Sequence, residues 1–124
     1  MIIGLGIDLV HVPRLERTWR RFGDRFLRRC FQPAEAAQAT GRPRPASALA
    51  MRFAAKEAFA KAAGLGMKGL AFHEIEVVHD PRGKPGLRLH GRARAWAADN
   101  SVAACHLSLT DEGEYAGAVV VLEK

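Results

Sequence analysis

Two carboxylates and a lysine stand where their charges need an explanation. Asp8 lies in "GLGIDLV", a strand-like segment with no other charge. Aspartate is disfavoured in strands, and burying its charge without a partner is expensive. Glu57 lies in "RFAAKEAFAKAAGLG", residues 52–66, an alanine-rich stretch that also carries Lys56 and Lys61. Phe53, Glu57, Ala60 and Gly64 follow one another at spacings of four, three and four, so on a helix they share a face and Glu57 borders an apolar stripe. Lys61 falls one turn beyond Glu57. The plain reading is a solvated Glu57–Lys61 pair worth about 0.3–0.5 kcal/mol, with Asp8 capping the next helix or pairing with an arginine. The chemical reading is that one cation neutralises Asp8 and Glu57 together. Two carboxylates with phosphate oxygens and water suit Mg²⁺, and the Lys61 ammonium would then meet phosphate. Gly4 and Gly6 would let another backbone or a ligand come close.

These residues need elements to position them. "MIIGLGIDLVHV" is apolar and branched, a strand. Pro13 suits a helix start, and Leu15, Trp19, Phe22 and Phe26 form its apolar stripe, with Gly23 as an interruption. Arg14, Arg17, Arg21, Arg25 and Arg28 make a second, basic stripe. Pro33 opens a short helix, "GRPRP" at 41–45 is a loop, and a long helix runs from about Ala46 to Ala63 with Gly64 as its stop. Strands follow at "FHEIEVV" and "GLRLH" around the turn "DPRG", then a helix over "GRARAWAADN", then a hairpin of "AACHLSLT" and "EYAGAVVVLE" around "DEGE". The order predicts a single α+β domain over residues 1–124, with a mostly antiparallel sheet and helices packed on it.

The chain has 124 residues, 48% of them apolar, so a single modest core is expected and disorder is not. The 19 Lys+Arg against 13 Asp+Glu give a net charge of +6, which favours an acidic partner without choosing one. No signal peptide or membrane-length apolar run is evident, and only Cys30 and Cys105 are present, so a cytoplasmic protein without a disulfide framework or zinc site is expected. A basic nucleic-acid module would explain the charge, but no aromatic-rich strand offers a stacking platform. A pure interaction subunit would explain the size. Neither explains Asp8 and Glu57.

Taken together, "GLGIDLV", "RFAAKEAFAKAAGLG", "DPRGKPGLRLHGRA" and "HLSLTDEGEYAGAVVVLEK" resemble the holo-[acyl carrier protein] synthases, the small phosphopantetheinyl transferases, across essentially the whole chain. The resemblance implies the 4'-phosphopantetheinyl transferase fold and a reaction that moves the phosphopantetheine arm of coenzyme A onto a serine of apo-acyl carrier protein, releasing adenosine 3',5'-bisphosphate. It implies Mg²⁺ on Asp8 and Glu57 and a phosphate contact at Lys61. Glu57, or a metal-bound water it orients, would be the base. Arg52, Gly64, Gly66, Lys84 and Pro85 look like parts of the coenzyme A site. His106 would contact the phosphates from a neighbouring subunit of a homotrimer, which puts the active sites at interfaces. Arg14, Arg17, Arg21 and Arg25 would face the acidic carrier, whether of fatty-acid or polyketide synthesis. The chain departs from many members at Thr110 and Asp111, where a Ser-His pair is common. Val10 stands where larger relatives carry a third acidic ligand, so a water would fill that place.

Lys56 is either structural or phosphate-facing. His73, Glu74, Glu76, His79 and Asp80 are expected to be solvated surface, since strand alternation points Glu74 and Glu76 away from Ile75 and Val77. Cys30 and Cys105 are expected to be core thiols.

Overall fold

The computed structural model describes residues 1–66 and 68–124. The elements run β1 (Ile2–His11), α1 (Val12–Phe22), α2 (Asp24–Cys30), α3 (Pro33–Thr40), α4 (Pro45–Ala63), a 3-10 turn (Phe72–Glu74), β2 (Ile75–His79), β3 (Pro85–Leu89), α5 (Gly91–Asp99), β4 (Ala104–Glu112) and β5 (Tyr115–Glu123). This is the expected α+β order. Three of the helices open on proline, at Pro13, Pro33 and Pro45, whose fixed φ suits the first turn. Gly23 breaks the first helical stretch into α1 and α2, with its φ at 56°. Arg25 and Arg28 therefore ride on a different helix from Arg14, Arg17 and Arg21. Phe22, a member of the apolar stripe, is nevertheless 44% exposed, because the break turns the chain before that position closes on the core.

All strand pairing is antiparallel, and it forms two sheets: a three-stranded one in the order β1-β5-β4 and a two-stranded one of β2 and β3. The final hairpin is tighter than "DEGE" suggests. Its strands run to Glu112 and resume at Tyr115, leaving Gly113 and Glu114 as the turn, with Gly113 at φ 57°.

Helix α4 lies against the inner face of the larger sheet, and its alanines decide how closely. Ala50, Ala54, Ala55 and Ala58 are fully buried. A Cβ added at Gly4 would stand 2.0 Å from Ala62 O, and one at Gly6 would stand 1.9 Å from Ala58 O. Backbone thus meets backbone, and any side chain at Gly4 or Gly6 would force β1 and α4 apart. The inner face is completed by Val10, Leu107, Ala118, Val120 and Leu122. The outer face of the same sheet leaves Leu5, Ile7 and Leu9 65–66% exposed.

The alternation reading of residues 74–77 fails. Glu74 and Glu76 are both 6% exposed. Phe72–Glu74 is a 3-10 turn, so Glu74 is not on the strand. Its carboxylate accepts from the Ala71 N–H at 2.9 Å and from the Arg92 N–H, which anchors the first turn of α5. Glu76 pairs with His90 Nε2 at 2.9 Å and Arg88 at 3.7 Å. Cross-strand and helix-start partners draw both acids inward.

Candidate active site

The close approach of β1 and α4 brings together residues that are about fifty apart in the chain. Lys61 Nζ donates to Asp8 Oδ1 at 3.1 Å and to Ile7 O at 3.0 Å. The lysine therefore does not make the intrahelical pair that its spacing suggests. Among the described residues, no hydrogen bond or ion pair engages the Glu57 carboxylate. Burial pushes the Glu57 carboxyl above its ordinary pKa, and the nearby Asp8 charge pushes the same way, with Lys61 opposing. A partly buried carboxylate repelled by a second one is a place where positive charge is missing.

Asp8 lies on the wall between two cavities. One, of about 340 Å³, is lined by Asp8, Glu57, His11, Arg14, Thr18 and Phe53. The other, of about 440 Å³, is lined by Asp8 and Lys61 together with Ile7, Ser108, Thr110 and Val119. Of these, His11, Thr18, Phe53 and Ser108 were not read from sequence as lining a site. Thr18 lies one helical turn beyond Arg14, a spacing that was available. His11 and Ser108 carry no local signal.

The other expected residues are spread more widely. His106 lies on the outer face of the larger sheet, in register with Val121 and, through it, Leu5. Its Nε2 is 2.7 Å from Glu123 Oε1, and this hydrogen bond holds the Glu123 carboxyl below its ordinary range. It lines neither cavity. Gly64 closes α4 in the left-handed conformation at φ 75°, with its N–H donating to Lys61 O at 3.0 Å, and Gly66 is also left-handed at φ 57°. Lys84 and Pro85 sit where the β2–β3 turn closes, the Lys84 N–H donating to Asp80 Oδ1 at 2.8 Å.

Arg52 is turned inward, donating to Ala48 O at 3.0 Å and Gln38 Oε1 at 3.3 Å. Its Nε and His79 Nδ1 are, among the described residues, the buried side-chain polar atoms without a partner. Arg14, Arg17 and Arg21 are exposed along α1, with Arg14 reaching the first cavity. Thr110 lines the second cavity. Asp111 Oδ2 instead accepts from Ser47 Oγ at 2.6 Å, with Arg44 at 3.7 Å, and so ties the last hairpin to the start of α4. Lys56 proves structural: it is buried against Glu35 at 2.9 Å. Burial raises the pKa of both thiols, Cys30 and Cys105; Cys30 is a core thiol as expected, whereas Cys105 is half-buried at the edge of the core.

The donor set fits a hard divalent cation: two carboxylates, one of them unpaired, next to open cavities that phosphate oxygens and water can enter. Among the described residues no third His, Cys, Asp or Glu joins them. The protein offers only part of a coordination shell, which suits an ion bound together with its substrate.

The chain is similar to known proteins over nearly its whole length. A family model for the 4'-phosphopantetheinyl transferase superfamily matches residues 4–120. A holo-[acyl-carrier-protein] synthase of Geobacter sulfurreducens is 46% identical over 125 residues, covering 100% of this chain and 99% of that one. The crystal structure of holo-[acyl-carrier-protein] synthase from Neisseria meningitidis is similar at a TM-score of 0.93 and 38% identity, with 100% of both chains covered. A holo-(acyl-carrier-protein) synthase from Bacillus anthracis, in complex with CoA (3',5'-ADP), is similar at a TM-score of 0.81 and 38% identity, covering 99% of this chain and 97% of that one.

Proposed function

Since this chain belongs to the holo-[acyl-carrier-protein] synthases of the 4'-phosphopantetheinyl transferase superfamily, we propose that it transfers the 4'-phosphopantetheine group of coenzyme A to a serine of an apo-acyl carrier protein in a Mg²⁺-dependent reaction. The observation that carries this reading is the place of Asp8 between two cavities, one opening towards Arg14 and the other holding Lys61. The carrier serine would enter beside Arg14, and the coenzyme A diphosphate would lie beside Lys61. The serine hydroxyl attacks the phosphorus that bears the pantetheine arm. The bond to the bridging oxygen breaks, and adenosine 3',5'-bisphosphate leaves with that oxygen. Glu57, directly or through a water it orients, takes the serine proton. Asp8 and Glu57 would hold Mg²⁺, which supplies positive charge to the diphosphate as the bond breaks. Lys61 would contact a phosphate.

The partners follow from two surfaces. The arginines Arg14, Arg17 and Arg21 of α1, with Arg25 beyond the break, complement an acidic carrier and would chiefly raise its encounter rate. The outer face with Leu5, Ile7 and Leu9 supports assembly with further copies, and the reading is a homotrimer. His106 lies on that face, so a neighbour could supply it to the coenzyme A site, along with the Arg52, Gly64, Gly66, Lys84 and Pro85 region. No helix among the described residues is long and apolar enough to cross a membrane, in keeping with a cytoplasmic site of action.

The test is a transfer assay with coenzyme A, an apo-carrier protein and Mg²⁺. Holo-carrier should form with Mg²⁺ and not with excess chelator; no holo-carrier with several apo-carriers would sink the reading. Subunits carrying His106→Ala mixed with subunits carrying Glu57→Gln should regain activity that neither has alone.

A further inference from the structure

One lysine on α4 pairs with the less obvious of two carboxylates. Glu57 is four residues before Lys61, in the orientation that isolated helices favour. Yet the ammonium crosses to β1, where Asp8 Oδ1 and the Ile7 carbonyl together receive it. The Lys61 side chain is 52% exposed and that of Asp8 only 16%. The long lysine stem thus carries a half-exposed charge to a more buried one. Asp8 has a direct ion pair, while among the described residues Glu57 has none and feels Lys61 only at longer range.

This rests on the reading of Asp8 and Glu57 as the metal-binding pair. We propose that Lys61 is the resident counter-ion of Asp8, and that it gives up that place when a divalent cation binds and turns to the substrate phosphate. An ammonium and a dication cannot both hold a close contact with one carboxylate without repelling each other. The flexible four-carbon stem, half in water, can swing away at little cost. Lys61 therefore becomes available to phosphate only once the cation is in place. Metal and coenzyme A then favour each other's binding, and the coupling is reciprocal. In the absence of both, the same lysine keeps β1 and α4 from carrying two bare carboxylates side by side.

The experiment uses Mn²⁺ as the probe, with free ion followed by its electron paramagnetic resonance signal, on the wild-type protein without coenzyme A. Lys61→Met should bind Mn²⁺ more tightly, by roughly three- to tenfold for loss of a part-exposed competing charge. The same variant should bind coenzyme A more weakly. Lys61→Arg should hold Mn²⁺ like the wild type. A purely structural lysine would not move the two affinities in opposite directions. A second measurement needs no Lys61 variant: brief treatment with acetic anhydride, read by mass spectrometry. Mg²⁺ should increase acetylation of Lys61 in the wild type and leave it unchanged in Asp8→Asn. Equal or weaker Mn²⁺ binding by Lys61→Met, or Lys61 acetylation indifferent to Mg²⁺, would overturn the proposal. Absence of Mn²⁺ binding by the wild type even with coenzyme A present would instead remove the metal-pair reading on which the proposal stands, and the proposal with it.

Discussion

Helix α4 carries two lysine–carboxylate groupings one and a half turns apart, and they are built on opposite principles. At Lys56 every charge is satisfied. The lysine and Glu35 side chains are both fully buried, 2.9 Å apart. Glu35 also accepts from the Gln32 N–H at 3.0 Å and the Val77 N–H at 2.9 Å. Lys56 donates further to Ile75 O and lies 5.2 Å from the centre of the Phe31 ring. At Lys61 the arithmetic is left open. One ammonium pairs directly with Asp8, and among the described residues Glu57 has no direct partner. The first group joins α3, α4 and β2 into one unit; the second borders two cavities. The same residue types become a strut where hydrogen bonds surround them and, in the proposed function, a metal site where one carboxylate lacks a direct partner.

The widest difference should appear on breaking the strut. Burial already lowers the Lys56 pKa, and the Glu35 carboxylate opposes that shift. Lys56→Met leaves Glu35 buried and unpaired, and should cost about 3–5 kcal/mol of stability in urea denaturation. Lys56→Met with Glu35→Gln should cost less than the sum of the two single changes, since neither charge is then stranded.

Removing charge at the open site should do the reverse, harming function and sparing the fold. Asp8→Asn and Glu57→Gln should each lower turnover at saturating Mg²⁺ by at least about a hundredfold, more than typical losses from outer-shell changes, with circular dichroism unchanged. Near wild-type turnover in either would dissolve the contrast.

Gly6→Ala should separate the two groups. Its methyl would collide with Ala58 O, so β1 must shift from α4 at a cost of about 1–3 kcal/mol. Activity should fall with the loss of Asp8 beside Lys61. Protection of the Lys56–Glu35 region from hydrogen exchange should be lost only with global unfolding.

The smallest effect is on stability without metal. Glu57 has a raised carboxyl pKa in the fold, so its ionisation opposes folding above that pKa. In chelator at pH 7, Glu57→Gln should melt about 1–3 °C higher than the wild type, a fraction of a kcal/mol for a domain of this size. The gain should vanish as pH falls through the folded pKa towards the ordinary carboxylate range, where Glu57 takes up its proton and resembles glutamine. A lower melting point at pH 7 would mean that Glu57 is compensated after all.

Much of this was legible in the residues. The strand around Asp8, the α4 helix with its glycine stop and the final hairpin follow from branched residues, proline and glycine positions and alternation, all of which act over a few residues. Glu57 and Asp8 were suspect because carboxylates in apolar segments demand compensation wherever those segments pack. Three points depended on the tertiary fold. Spacing offered Lys61 to Glu57, but the glycine-smooth face of β1 put Asp8 and the Ile7 carbonyl within reach, and two acceptors outcompete one. Alternation sent Glu74 and Glu76 to solvent, but Arg92 on α5, Arg88 on β3 and His90 between them approach these acids, which no local pattern encodes. Lys56 and Lys61 look alike in sequence, and only the arrival of Glu35 from α3 makes one a buried strut. Periodicity and composition set which faces are apolar and where charges are costly. Which opposite charge meets each of them depends on contacts between distant segments, and those exist only when the whole chain is folded.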